Sequence, residues 1–350
     1  MSAWDPLAAR AASPREVSYL YSCVVFLTAD GPAVLPATQG HHAHAAFLDM
    51  VRGVDPGLAA WLHDARGRKP FTIGPLRGLP QPRRGEIQVP AGWTCWLRFT
   101  FLAQPVFESF RSALLCGSLQ PRLRLGSGWF LISEVRYGPG SHPWAGWTTA
   151  EALAARMGLP GAPPAPAPAA SEEHDREAAA DDAPVTFSFE LASPTAWSLG
   201  GERGRRVEVL PAPALFFGSL VASWNAWFGE RLGRIDPTLR EYVAQAVVVS
   251  RMELATRMYR YQEHLQVGTV GRITYRLLDS PRAPEARILD VLADLAFYSG
   301  VGYRTTMGMG QVRRLADEEG MRRGEGHGAG DRQEVAGDAS HGAGCHDEPA

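Results

Sequence analysis

Apolar residues recur along the first half of the chain with two periods, every second residue in some segments and every third or fourth in others. The first period is typical of half-buried strands and the second of amphipathic helices. The predicted elements are a strand, two helical pieces, two strands, a helix and a closing strand: Tyr19–Ala29, His42–Arg52, Pro56–Ala65, Phe71–Leu76, Trp93–Ala103, Val106–Leu115 and Trp129–Tyr137. With the two helical pieces counted as one unit, this order is βαββαβ, the ferredoxin-like arrangement.

The second half of the chain repeats the same order of elements. Its predicted strands and helices are, in chain order, Val185–Leu191, Pro213–Leu232, Pro237–Ala246, Val247–Tyr261, Gly268–Leu277, Pro284–Tyr298 and Gln311–Leu315. We therefore predict an α+β protein with two tandem ferredoxin-like (RRM-like, βαββαβ) domains. Such tandem domains are frequent in RNA-binding proteins, although a fold by itself does not specify a function.

Composition indicates the domain boundaries. A Pro/Ala-rich acidic stretch over 159–184 offers no apolar face to bury and is predicted to be a linker. From residue 317 the chain is Gly-rich, polar and without periodicity, which predicts a disordered acidic tail over 317–350. The linker and the tail leave an N-terminal domain over 15–158 and a C-terminal domain over 185–316.

The net charge of −2 conceals an uneven distribution. Residues 171–182 carry six acidic residues and one Arg, and residues 317–350 carry nine and three, so the remainder of the chain is basic. A basic body suits a polyanionic partner such as nucleic acid, although cationic surfaces are also common in proteins that bind none.

Signals for export and for metal binding are missing from the sequence. No run of about 18 apolar residues predicts a membrane span, and the first fourteen residues lack the basic and apolar regions of a secretion signal. The cysteines are far apart, at Cys23, Cys95, Cys116 and Cys345. This spacing favours free thiols in a reducing cytoplasm, and a zinc site from His341, Cys345 and His346 is disfavoured because paired thiols are lacking. We expect no membrane association, no metal and no other cofactor.

A glycine-rich segment between the last predicted helix and the last predicted strand has unusual loop chemistry. Gly300, Gly302, Gly308 and Gly310 surround Arg304 in what we call the glycine loop (residues 300–310). Glycine allows positive φ and close approach of another backbone, so N–H groups of the loop and Arg304 could hold a phosphate chain. The spacing matches neither GxGxxG nor a P-loop, both of which precede a helix. An irregular turn is the alternative.

Histidines and the only lysine are the candidates for acid–base chemistry. His41, His42 and His44 cluster at the first helical piece, and His63 lies on the second, away from its apolar face. An imidazole titrates near neutral pH, so His44 and His63 could flank one phosphate. Lys69 is the sole lysine beside 34 arginines, which suggests that a compact ammonium is needed there. Exposed or helix-starting histidines and a lysine retained by chance are the simpler alternatives.

Arginines and tyrosines alternate on the strand-like segments of the second half. They are Arg251, Arg257, Tyr259, Arg260, Tyr261, Arg272, Tyr275 and Arg276. Arginine contacts phosphates and aromatic rings stack on unpaired bases, so we expect an RNA-binding surface that includes Arg257 and Arg272. A half-exposed strand without a ligand shows the same alternation and is the alternative.

Two groups of motifs together resemble the CRISPR-associated endoribonucleases that process precursor CRISPR RNA, members of the RAMP superfamily. The segment Gly300-Val-Gly-Tyr-Arg-Thr-Thr-Met-Gly-Met-Gly-Gln-Val is similar to the glycine-rich loop of that family. The segments His44-Ala-Ala-Phe-Leu, Asp55-Pro-Gly-Leu-Ala-Ala-Trp-Leu-His63 and Lys69-Pro-Phe-Thr are similar to its catalytic-helix region. The resemblance covers residues 19–315 and leaves out the linker and the tail.

The resemblance implies a site and a reaction. The usual catalytic histidine of the family falls on His63, a second histidine of some members on His44, and a lysine of some members on Lys69. Leu48 stands where other members have a tyrosine, which favours a two-histidine site. The implied reaction needs no metal, because the 2′-OH upstream of the cut attacks its own phosphate and leaves a 2′,3′-cyclic phosphate and a 5′-OH. Lys69 would stabilise the phosphate's charge, and which histidine is acid and which is base stays open.

The resemblance also implies partners. The substrate would be the repeat sequence of precursor CRISPR RNA, bound in the cytoplasm through the glycine loop and the basic strands. Other subunits of a CRISPR effector complex, or a second copy in a homodimer, are further partners that it allows. The alternative is a non-catalytic RAMP subunit that binds guide RNA in an interference complex, which would have no need of His44, His63 and Lys69.

Overall fold

A computed structural model of the protein describes residues 17–115, 121–159, 185–200, 206–261 and 264–316. The predicted tail lies outside these residues, as do nearly all of the predicted linker and the histidines and cysteine of the disfavoured zinc site. The predicted domain boundaries therefore stay a prediction.

The first half of the chain forms an antiparallel sheet with helices packed on one face. Its elements are β1 (Tyr19–Ala29), β2 (Ala33–Pro36), α1 (Gly40–Val54), α2 (Pro56–Asp64), β3 (Phe71–Ile73), β4 (Glu86–Val89), β5 (Thr94–Phe101), α3 (Gln104–Leu115), β6 (Arg122–Leu125), β7 (Gly128–Arg136), β8 (Gly146–Thr149) and α4 (Ala150–Met157). The strand order is β3-β5-β1-β7-β6, and β8 also pairs with β1. The first strand thus lies between the third and the last strand of the βαββαβ unit.

The second half repeats this topology. Its elements are β9 (Thr186–Thr195), β10 (Trp197–Leu199), β11 (Arg206–Glu208), α5 (Pro213–Trp227), α6 (Gly229–Leu232), α7 (Leu239–Ala246), β12 (Val247–Tyr261), β13 (His264–Leu277), α8 (Pro284–Ser299), a 3-10 turn (Thr305–Met307) and β14 (Val312–Leu315). The sheet order β12-β13-β9-β14 again places the first strand beside the third and the last. The prediction of two tandem ferredoxin-like domains is confirmed.

Several short strands and one break in a helix were not predicted from the sequence. The pairs β2–β4 and β10–β11, and the strands β6 and β8, are three or four residues long, which is too short for a period to be recognised. The helix predicted over Pro213–Leu232 is two helices. Asn225 exchanges two hydrogen bonds with the backbone of Ile235, at 2.7 and 2.8 Å, and so holds the chain where it turns out of α5. Among the described residues no helix is both long and apolar enough to cross a bilayer.

Strand β5 lies at the interface between the two domains. Its residues Cys95, Leu97, Phe99 and Phe101 are buried against the helices, as the alternation of apolar residues predicts. Arg98, which points to the opposite face, is buried as well, because the second domain covers that face. Burial lowers the pKa of this guanidinium to about 9, so it is still charged at neutral pH.

The Arg98 guanidinium bonds groups from both domains. It donates to the hydroxyl of Ser22 at 2.8 Å, to the side-chain oxygen of Gln311 at 2.7 Å and to the carbonyl of Phe297. Gln311 in turn donates to the hydroxyl of Thr72 at 3.1 Å. Because Phe297 precedes the glycine loop and Gln311 follows it, both ends of the loop are fastened to the first domain.

Candidate active site

His44 lies on α1 and is only 8% exposed. Its ring packs against Phe71 with 5.8 Å between the ring centroids, and its Nδ1 lies 3.1 Å from the carbonyl oxygen of Thr306 in the glycine loop. A carbonyl oxygen only accepts hydrogen bonds, so Nδ1 carries the proton and donates it. In the neutral ring this leaves Nε2 with a free lone pair, which is the requirement for a general base.

The surroundings of His44 keep its ring neutral. Burial lowers its pKa to about 4, against the partial opposition of the bond to Thr306, and the positive charges of Lys69, His41 and His63 lower it further. These three groups are therefore near enough to His44 for their charges to act on it. The sequence predicted that His44, His63 and Lys69 share a site, and the structure gathers them at the ends of α1 and α2.

We expect His44 to make the fold sensitive to acid. Its pKa in the folded protein lies below the ordinary 6.5, so between about pH 6.5 and pH 4 the unfolded chain binds the proton more readily. Stability is therefore lost as the pH falls through this window, by about 2 kcal/mol from this group at pH 5. Above pH 6.5 the ring is neutral in both states and adds no pH dependence.

Urea unfolding at pH 7 and pH 5 tests this expectation. The free energy of unfolding of the unaltered protein should fall more between the two pH values than that of His44→Asn. An equal fall in both proteins would show that His44 is not held neutral by the fold.

His63 lies in the last turn of α2 and its side chain is 68% exposed. Its Nδ1 lies 2.8 Å from a carboxylate oxygen of Asp64, which accepts the Nδ1 proton. The prediction that His63 points away from the core is confirmed. Asp64 thus orients the ring, which stays open to a substrate.

Lys69 caps the helix that carries His63. Its ammonium donates to the carbonyl of Leu62 and, at 3.2 Å, to that of His63, which are unpaired oxygens at the end of α2. Burial lowers its pKa, while the charge of Asp64 raises it. The only lysine therefore has a structural reason to be present, and it also places a positive charge beside both histidines.

The glycine loop is bonded to the rest of the chain through its own N–H groups. Those of residues 300–303 and 307–310 donate to acceptors of the protein, among them the carbonyls of Ala196, Pro194 and Ile73. These amides already have acceptors and are not available to a phosphate, so a cradle formed by loop N–H groups stays a prediction for residues 304–306 alone. Contact of Gly300, Gly302, Gly308 and Gly310 with RNA in another manner stays a prediction.

Packing explains the glycines of the loop. All four have positive φ, and a Cβ at Gly302 would overlap the carbonyl oxygen of Ala196, while one at Gly310 would overlap that of Val301. Only a residue without a side chain fits where two backbones approach so closely. The loop is thus a closely packed connection between α8 and β14.

The tip of the glycine loop rests on α1. The N–H of Gly308 donates to the carbonyl of Ile73 at 3.0 Å, and a Cβ at Gly40, the first residue of α1, would overlap the carbonyl oxygen of Met307. Sequence reasoning missed Gly40 and the Thr306 carbonyl as parts of the site. A sequence does not show which backbone carbonyl will contact a side chain. Gly40 had no feature that distinguished it from any other residue before the histidine cluster.

The predicted RNA-binding arginines lie in different environments. Arg257 is exposed on β12 opposite Gly268 of β13. Arg272 is half-buried on β13 and lies in register between Glu253 and Glu190 of the two neighbouring strands, so acidic groups flank it. Arg304 has a left-handed backbone, and its guanidinium lies 5.7 Å from the ring centroid of Tyr303.

Two tyrosines of the predicted RNA surface are inside the protein. Tyr259 is 3% exposed, and Tyr275 is fully buried with its hydroxyl 2.7 Å from the carbonyl of Pro211. Neither ring can stack on a base, so that part of the interpretation is wrong. The strand alternates as predicted, but the tyrosine positions face the glycine loop and the core.

Among the described residues no three of the His, Cys, Asp and Glu side chains gather in a geometry that could hold a metal ion. Cys23 and Cys95 are free thiols, and burial raises the pKa of each to about 12. They are therefore protonated at neutral pH and unreactive as nucleophiles.

Comparison with models of protein families identifies the family to which this chain belongs. The model for the CRISPR Cas6 N-terminal domain matches residues 19–154, and the model for the CRISPR-associated endoribonuclease Cas6 matches residues 189–312, so the two together span most of the chain. The chain belongs to the Cas6 family. It is thus a CRISPR-associated endoribonuclease, and the resemblance found in the sequence is confirmed.

Solved Cas6 structures share the fold. A product complex of Cas6 (TTHB231) superposes with a TM-score of 0.64 at 27% identity, over 85% of this chain and 100% of that chain. Thermus thermophilus Cas6 (TTHB231) gives 0.59 at 26% identity, over 86% and 100%. A product complex of another Cas6 (TTHA0078) gives 0.58 at 24% identity, over 85% and 100%, which shows the fold alone. Comparison with curated proteins gives no match.

Proposed function

We propose that this Cas6 protein cleaves precursor CRISPR RNA within its repeats by a metal-independent transesterification. The observation that carries the proposal is His44, a buried neutral imidazole with a free Nε2, next to a second histidine and a lysine. One of the similar Cas6 structures is a product complex and another is a substrate-mimic complex, which supports RNA as the ligand.

The different surroundings of the two histidines support one assignment of base and acid. Nε2 of His44 takes the proton of the 2′-OH upstream of the cut, and the 2′ oxygen attacks the adjacent phosphorus. As the bond from phosphorus to the 5′ oxygen breaks, His63 in its protonated form gives a proton to that oxygen. The products are a 2′,3′-cyclic phosphate and a 5′-OH. After cleavage His44 is protonated and His63 is neutral.

Lys69 and the arginines complete the proposal. The Lys69 ammonium stabilises the extra negative charge on the phosphate during attack, in addition to capping α2. Arg257, Arg272 and Arg304 contribute positive charge along the path of the RNA, with Gly300, Gly302, Gly308 and Gly310 shaping the loop beside it. The reducing environment suggested by two free buried thiols agrees with a cytoplasmic location.

Cleavage of end-labelled repeat RNA in EDTA tests the proposal. A single specific cut, with an upstream product that T4 polynucleotide kinase converts from the cyclic phosphate to a 3′-OH, is the expected result. Tight binding of the repeat without cleavage would favour the alternative, a non-catalytic guide-RNA-binding subunit. Cleavage that disappears in EDTA and returns with Mg²⁺ would contradict the metal-independent chemistry.

A further inference from the structure

Tyr259 lies beside the candidate site and has no role in the proposed reaction. It lies on β12, in the basic and aromatic segment, but it is 3% exposed and its ring packs with Ala196 and Met309. Its hydroxyl donates to the carbonyl of Met307, the last residue of the 3-10 turn of the glycine loop. The buried ring and this bond fix the turn from the side of the second domain.

The turn fixed by Tyr259 is the one that contacts His44. The Thr306 carbonyl, one residue before Met307, accepts the Nδ1 proton of His44 at 3.1 Å. Gly40, four residues before His44 on the same helix, packs directly against both the Met307 carbonyl and the Tyr259 hydroxyl. Next to it, the Thr38 hydroxyl donates to the carbonyl of Arg260 at 2.8 Å. Strand β12, the turn and the start of α1 therefore meet at one point.

We infer that Tyr259 is a positioning residue for His44: its hydroxyl holds the turn Thr305–Met307 so that the Thr306 carbonyl selects the Nδ1–H form of the His44 ring and leaves Nε2 free. The inference rests on the proposed function only in its kinetic consequence. The choice of ring form is a property of the unliganded protein and is measured without RNA.

Four groups act on the His44 ring through charge or hydrogen bonding. His41 lies on the same helix, His63 on α2, Lys69 just before β3, and the Thr306 carbonyl on the turn. The three side chains are cationic when protonated and disfavour charge on His44 without choosing between its two nitrogens. The carbonyl makes a hydrogen bond to Nδ1 in particular, so moving it changes which nitrogen bears the proton.

Tyr259→Phe tests the inference by removing one oxygen atom and keeping the ring. Tyr275→Phe is the matched control, because it removes a buried hydroxyl of the same sheet that donates to the carbonyl of Pro211 and not to the turn. Ring ¹⁵N chemical shifts of His44, assigned with His44→Asn in protein labelled at histidine, report the proton's position. Single-turnover cleavage and the Kd for repeat RNA are measured on the same proteins.

In Tyr259→Phe we expect the Nδ1 and Nε2 shifts of His44 to move toward each other and cleavage at saturating RNA to slow about tenfold. The Kd should stay within about twofold, and Tyr275→Phe should change none of the three. Unchanged His44 shifts in Tyr259→Phe would overturn the inference. Changed shifts with unchanged cleavage would support it and contradict instead the role of His44 as the base.

Discussion

Replacing His44 by Asn is expected to slow cleavage of repeat RNA about 10²–10⁴-fold with little change in RNA affinity. The Asn amide N–H can still donate to the Thr306 carbonyl in place of Nδ1–H, so the buried contact is kept while the Nε2 lone pair is removed. The loss should therefore appear in the rate constant under single-turnover conditions and not in the Kd. His42→Asn, on the same helix, is the matched control and should cleave normally.

A modified substrate separates the base from the acid. A sulfur at the 5′-bridging position leaves as a thiolate, whose conjugate acid has a pKa of about 8.5, so departure needs no proton donor. We expect His63→Ala to be slow on the oxygen substrate and nearly normal on the sulfur substrate. His44→Asn should stay slow on both, because attack by the 2′-OH still needs a base. The opposite pattern would show that His63 is the base and His44 is the acid.

The parts of the fold that the sequence predicted correctly have local causes. Apolar alternation in β5 and the capping of α2 by Asp55, whose carboxylate accepts the N–H of Leu58 at 2.9 Å, are determined within a few residues. The exposure of His63 follows in the same way from its position on the helix. Such features can be predicted because side-chain direction is fixed by the period of the element.

The contacts between domains could not be predicted in this way. Arg98 appears in the sequence as one polar residue in an apolar strand, and its partners Gln311 and Phe297 lie about two hundred residues away. Tyr259 alternates like a solvent-facing residue, but the glycine loop covers it. The close approach of the glycine loop to other backbone segments could not be predicted either, since glycines that approach another backbone and glycines that approach a phosphate look the same in a sequence.

Gly40→Ala is expected to abolish most of the cleavage activity although it changes no proposed catalytic group. Alanine normally favours a helix over glycine by about 1 kcal/mol, and Gly40 has no positive φ to prevent the change. The added methyl would overlap the Met307 carbonyl oxygen and the Tyr259 hydroxyl, which are hydrogen-bonded to each other. Overpacking of this kind destabilises by about 1–3 kcal/mol. To relieve it, the turn has to move away from α1 and take the Thr306 carbonyl from His44.

Gly53→Ala in the same helix supplies the matched control. Among the described residues nothing lies within 4 Å of a Cβ at Gly53, so this change should raise the free energy of unfolding by about 0.5–1 kcal/mol and leave cleavage unaltered. Thermal unfolding and single-turnover cleavage of both variants are the measurements. Full activity in Gly40→Ala would mean that α1 and the loop can separate without consequence for catalysis. A loss in Gly40→Ala alone would place the catalytic unit across both domains, with the helix of one held in register by the glycine loop of the other.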